Sequence, residues 1–118
     1  MKIKPKFSEY NDGMLYVCSA EATQDGTFNV KRNPKSISDL KKELKLAFEE
    51  KSKRDEDIEY AESHDRILSL KVKTRLHPEV NRLKLILIGD TLYSIVDVDI
   101  DKTNKEMYLY LEEMRKIS

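Results

Sequence analysis

The sequence predicts a mainly β domain: a small six-stranded antiparallel β-barrel or sandwich, with a helix plus charged loop inserted after the second strand. Three observations lead there. Short segments in which apolar and polar residues alternate recur along the chain, as half-buried strands require. Asp-Gly and Gly-Asp pairs stand between such segments, where tight turns belong. One stretch alone, near residues 36–50, changes from the period of a strand to that of a helix.

The elements follow in order. Residues 1–12 hold three lysines and a proline and run into "NDG", which reads as a flexible arm ending in a turn at residues 11–13. "MLYVCSAE" mixes aromatic, β-branched and small residues and suits a first strand. Asp25-Gly26 signals a hairpin, and "FNVKRN" alternates Phe28 and Val30 with polar neighbours as the return strand. After Pro34, the residues Ile37, Leu40, Leu44, Ala47 and Phe48 fall at helical spacing, with Ser36 and Asp39 as a weak capping pair. Residues 49–65 hold eight acids and three bases, for a local charge of −5, with only Ile58 and Tyr60 as sizeable apolar groups. Such a stretch buries little on its own and is expected to be mobile until a partner orders it. Residues 36–65 together form the helical and acidic insertion.

Strands then resume. "ILSLKVKTR" sets Leu68, Leu70, Val72 and Thr74 on one face against Ser69, Lys71, Lys73 and Arg75 on the other. "RLKLILI" and "TLYSIVDV" flank Gly89-Asp90 as a hairpin, and "EMYLYLEEM" alternates Met107, Leu109 and Leu111 with Tyr108 and Tyr110. Consecutive antiparallel strands with one apolar face close into a barrel or sandwich.

At 118 residues the chain is one domain, 1–118. Charged residues make up 37% and balance to a formal net charge of zero, which argues against a protein devoted to gripping nucleic acid. The single cysteine, Cys18, excludes an intrachain disulfide and fits a reducing compartment. No signal-peptide core follows the basic start, and the apolar run at 85–88 is far too short to span a bilayer. A chain made in the cytoplasm, with no membrane association, is expected.

Candidate chemistry is sparse. Asp97, Asp99 and Asp101 share a strand face, but an EF-hand needs glycine and glutamate where Lys102 and Tyr108 stand. His64, His77 and Cys18 lack the spacing of a zinc site. Phosphate-cradling and nucleophile motifs are missing, so neither a catalytic residue, a metal nor a cofactor is expected. Lys71, Lys73 and Arg75, followed by Arg82 and Lys84, form a basic cluster. A nucleic-acid-binding OB- or SH3-like module would interleave aromatics on that face, and Tyr93, Tyr108 and Tyr110 sit on later strands instead.

Three stretches, "RDEDIEYAESHDRILSLKVKTR", "IGDTLYSIVDVDID" and "EMYLYLEE", resemble the head–tail joining, or head-closure (stopper), proteins of tailed bacteriophages of the siphophage type. The likeness covers residues 14–114. Gly89, Tyr93, Ile95 and Val98 occupy the family's hairpin positions. The resemblance implies a non-enzymatic virion protein, a small β-barrel in a homo-oligomeric, dodecameric ring beneath the portal or adaptor. Such a ring retains packaged DNA and offers a surface to the tail-completion or tail-tube protein. It implies passing contact with genomic DNA, a place at the head–tail junction after synthesis in the host cytoplasm, and a chain that can be monomeric before assembly. The matching insertion makes Arg54, Asp55, Glu56, Asp57, Glu59 and Glu62 the candidate channel or gate segment. Lys71, Lys73, Arg75 and Lys84 are the candidate subunit-interface face. The nucleic-acid module is the alternative.

Overall fold

In the computed structural model, residues 10–20 and 40–117 are described. They form six strands and one helix: β1 (Gly13–Ala20), β2 (Leu40–Lys51), α1 (Asp55–Ser63), β3 (Leu70–Arg75), β4 (Leu85–Ile88), β5 (Thr91–Asp101) and β6 (Glu106–Lys116). The strands close a barrel in the order β1-β2-β3-β6-β5-β4, with every pairing antiparallel. The mainly β class and a helix following the second strand are as expected, and of barrel and sandwich the barrel is found. The Asp25-Gly26 hairpin, the Phe28–Val30 strand and residues 1–9 of the arm lie outside the described residues.

The expected start of the helix at residues 36–39, with the Ser36–Asp39 capping pair, lies outside the described residues, and the rest of it, over residues 40–50, is corrected. Those residues belong to β2, a twelve-residue strand. Its pairing with β1 shifts between Val17 and Cys18, which face Leu44 and Lys42 and leave Glu43 as the extra residue of a bulge. The bulge reverses the phase of the strand. Leu44, Leu46 and Phe48 pack into the main core, while Leu40 joins a second cluster with Cys18. Apolar residues divided this way between two faces imitate helical spacing.

The barrel interior is filled by Leu15, Val17, Phe48, Val72, Ile86, Ile95, Met107, Leu109 and Leu111, all buried. The expected alternation on β6 is observed: Met107, Leu109 and Leu111 have no exposed surface. Opposite faces of β1, β4 and β5 contribute Cys18, Leu87 and Leu92 to the second cluster, which Leu40 and Ile117 complete. Thr74 is buried without a polar cost, because its hydroxyl donates to the Ala47 carbonyl at 2.7 Å. Between β4 and β5 the two-residue turn Gly89-Asp90 has positive φ, +60°, at glycine alone, the pattern of a type II′ hairpin.

Residues 49–65, expected to be mobile, hold instead the end of β2 and all of α1. Three acids in the first turn, Asp55, Glu56 and Asp57, suit the positive end of the helix dipole. The Asp57 carboxylate accepts the Arg54 backbone N–H at 3.0 Å. At the other end Arg66 N–H donates to Ala61 O at 2.9 Å and Asp65 N–H to Glu62 O at 3.0 Å. With Asp65 at φ 56°, this is a Schellman stop. A third cluster of Ala61, Leu68 and Val96, flanked by Ile58 and Tyr110, seats α1 against the outside of the barrel. Leu68 therefore belongs beneath the helix, apart from the interior face that Leu70 and Val72 share.

Candidate functional site

The outer face of β2, β3, β6 and β5 is ordered by strand register. One cross-strand row reads Lys51, Lys71, Tyr110, Asp97. The next reads Glu49, Lys73, Tyr108, Asp99, and Arg75, Glu106 and Asp101 continue the pattern. Cations thus line β3, tyrosines stand on β6 and aspartates line β5. This corrects the expectation that aromatics are missing from the basic face. Sequence order separates Lys71 from Tyr110 by 39 positions, but β3 pairs with β6, and so the two side chains become neighbours.

Helix α1 lies across this face and is pinned by one buried ion pair. The Lys71 ammonium donates to Asp57 at 2.9 Å, with both side chains less than a tenth exposed. The same ammonium sits 5.5 Å from the Tyr108 ring centre and 5.3 Å from that of Tyr110. Burial pushes the Asp57 carboxyl up, but hydrogen bonds from Lys71 and from the backbone and side chain of Arg54 outweigh it and hold the group below its ordinary value. Tyr110 is pushed up to about 12, chiefly by burial and then by the charges of Asp57, Asp99 and Asp97. After the helix, Arg66 ion-pairs with Glu112 and donates to Ser94 Oγ at 2.6 Å, and Glu112 also accepts the Ile67 N–H at 3.0 Å. Helix α1 is therefore fastened at its start and just beyond its end.

Two cavities open beside α1. The larger, about 540 Å³, is lined by Glu50, Arg54, Lys71, Asp99, Tyr108 and Tyr110 among others. A smaller one of about 260 Å³ lies between the helix and β5, lined by Glu56, Asp57, Tyr60, Asp97, Asp99 and Tyr110 together with Val98. Asp97 is answered by Arg82 at 2.7 Å. Asp99 and Glu56 make no hydrogen bond or ion pair among the described residues.

The sequence-predicted residues separate into groups here. Asp55, Glu56, Glu59 and Glu62 lie exposed on α1, and Arg54 is exposed at its start, whereas Asp57 turns inward. Lys71 is spent on Asp57, Lys73 lies 3.5 Å from Glu49 and 3.8 Å from Glu106, and Lys84 pairs with Glu43 at 2.7 Å. Arg75 is exposed at the end of β3. No group of three or more His, Cys, Asp or Glu side chains placed to share a metal ion occurs among the described residues. Asp101 is occupied by Asn104, whose backbone N–H and side-chain amide donate to it at 3.2 and 2.8 Å.

Cys18 is fully buried, and burial raises its thiol to about 11. His64 closes α1, its ring 2.9 Å from the Tyr60 carbonyl. Sequence reasoning missed Tyr108 and Tyr110 as site residues. Their place opposite two lysines of β3 depends on a pairing that only closure of the barrel sets. No helix among the described residues is long and apolar enough to cross a membrane. No family model matches the chain, and comparison with curated proteins gives no match.

Proposed function

We propose that the chain is a structural subunit of the neck of a tailed phage. In this reading it forms a ring beneath the portal or adaptor that closes the DNA-filled head and receives the tail. The observation that carries the reading is the character of α1. It is an insertion after the second strand of a closed barrel, and it presents Asp55, Glu56, Glu59 and Glu62 outward with no base in its last turn. A surface on which acids predominate repels the DNA backbone, which suits a wall that packaged DNA passes or stops against. The resemblance of residues 14–114 to head-closure proteins assigns the channel-facing role to this same segment. Support also comes from the barrel, a rigid body on which such an insertion is held at a fixed angle.

The test is antibody-gold electron microscopy of particles released on induction of the source strain. Label at the head–tail junction is the expected result. Complete particles without label, from a serum that detects the protein in cells, would remove the reading. A second experiment replaces Asp55, Glu56, Glu59 and Glu62 by lysine. Heads that fill but retain or release DNA abnormally are expected, and fully infectious particles would exclude the gate role.

One observation favours the nucleic-acid module instead: Lys71 and Lys73 do lie beside Tyr110 and Tyr108. Against it, Lys71 is covered by Asp57, and carboxylates flank Lys73 on both sides. Fluorescence anisotropy with a single-stranded oligonucleotide at low salt separates the two readings. Salt-sensitive binding that Tyr108→Ala abolishes would favour the module.

A further inference from the structure

The 260 Å³ cleft between α1 and β5 has the chemistry of a receptor for cationic side chains. Two tyrosine rings, Tyr60 and Tyr110, form part of its lining. Of its four carboxylates, Asp57 and Asp97 are already engaged by Lys71, Arg54 and Arg82. Asp99 has no cationic partner among the described residues, and Glu56, though attracted to Arg54, forms no ion pair with it. A carboxylate beside an aromatic face favours an ammonium group, by direct charge attraction and by the ring quadrupole.

The described chain begins beside this surface. The Tyr10 hydroxyl donates to Glu106 Oε2 at 2.6 Å, and Glu106 precedes Tyr108 and Tyr110 in the outward row of β6. From Glu106 to Tyr110 is four residues, or ~13 Å along a strand. The nine residues before Tyr10 can reach ~30 Å. They carry Lys2, Lys4 and Lys6 against the single acid Glu9. Residues 21–39, the other stretch outside the described part, hold three bases and three acids and so have no net attraction.

We propose that the cleft is the docking site of the chain's own N-terminal segment, with the ammonium groups of Lys2, Lys4 or Lys6 paired to Asp99 and Glu56 against the rings of Tyr60 and Tyr110. Exposed ion pairs are individually weak. The tether makes the contact effective, since a joined segment is presented at a local concentration on the order of millimolar. Docking is therefore salt-sensitive and is weak for the detached peptide. It is independent of the neck assignment and holds for the isolated chain.

The test compares amide ¹H–¹⁵N spectra of the full chain and a variant lacking residues 2–7. Shifts at Glu56, Tyr60, Asp99 and Tyr110 that vanish in about 0.5 M salt are expected, as screening at that strength is nearly complete beyond contact. Asp99→Asn with Glu56→Gln, which keeps size and fold, is expected to lose the same shifts in the full chain. Carbodiimide cross-linking then joins Lys2, Lys4 or Lys6 to Asp99 or Glu56. Equal mixing of light and ¹⁵N-labelled chains shows whether each link lies within one chain. Spectral changes confined to residues 10–12 and Glu106 would overturn the proposal. So would links only between chains, or only to other carboxylates.

Discussion

Replacing Asp57 by alanine removes the carboxylate that pins α1 and leaves the Lys71 ammonium under the helix without its partner. Breaking a buried ion pair from one side costs about 3–5 kcal/mol. Lys71 also lines the larger cavity and keeps its two tyrosine rings, so part of its charge can be rehydrated there. That places Asp57→Ala at the lower end, about 3 kcal/mol. Lys71→Met leaves Asp57 with its Arg54 contacts and is expected to cost about 2 kcal/mol. The double variant removes both charges together and is expected to cost no more than the first alone, a coupling of about 2 kcal/mol. Urea denaturation of the four proteins measures these differences. Hydrogen exchange adds where the loss falls: amides of α1 are expected to open before those of β6.

The same pair has a pH signature. The folded-state value of Asp57 lies below its unfolded value of 3.8, so the stabilisation is complete above that pH and fades as pH falls through the lower folded value. The gap between the native protein and Asp57→Ala is expected to narrow below about pH 3.8. A coupling within 0.5 kcal/mol of zero, or a gap that is flat through this range, would refute the view that the ion pair seats the helix.

Three further outcomes can be measured alongside. Leu109→Ala opens a hole at the fully buried centre of β6 and is expected to cost about 2–5 kcal/mol by urea denaturation, with loss of cooperativity across the whole barrel. Gly89→Ala places a side chain at φ +60° where no steric contact waits, so its cost is conformational only, about 1–2 kcal/mol in the same assay. Cys18 is buried and its thiol is raised to about 11, so alkylation at neutral pH is expected to be slow in the native state and to accelerate at the unfolding transition.

Local pattern settled those elements whose information is local. The β4–β5 hairpin needs only two alternating runs around a glycine that accepts positive φ, and both are adjacent in the chain. On β6 the alternation of Met107, Leu109 and Leu111 with two tyrosines is unbroken, so its inward face was legible directly. The place of α1 was not. Its acidic sequence has little apolar surface of its own, and what holds it is Lys71, fourteen residues away, together with Leu68 and Val96. Helix formation there depends on tertiary contacts more than on propensity.

For β2 the pattern was present but ambiguous. Leu44, Ala47 and Phe48 satisfy a helix, and Leu44, Leu46 and Phe48 satisfy a strand. The bulge at Glu43 hides the strand by moving Leu40 to the other face. Only pairing with β1 and β3 chooses between them, because backbone hydrogen bonds to neighbours exist for the strand alone. The sequence by itself determined a charged, mainly β domain, since period and turn chemistry are properties of neighbouring residues. Tertiary structure decided that β3 meets β6, and with it the row of lysine, tyrosine and aspartate beneath α1. Closing a barrel brings together strands that lie far apart in the chain, and their register is set by the pairing of whole strands.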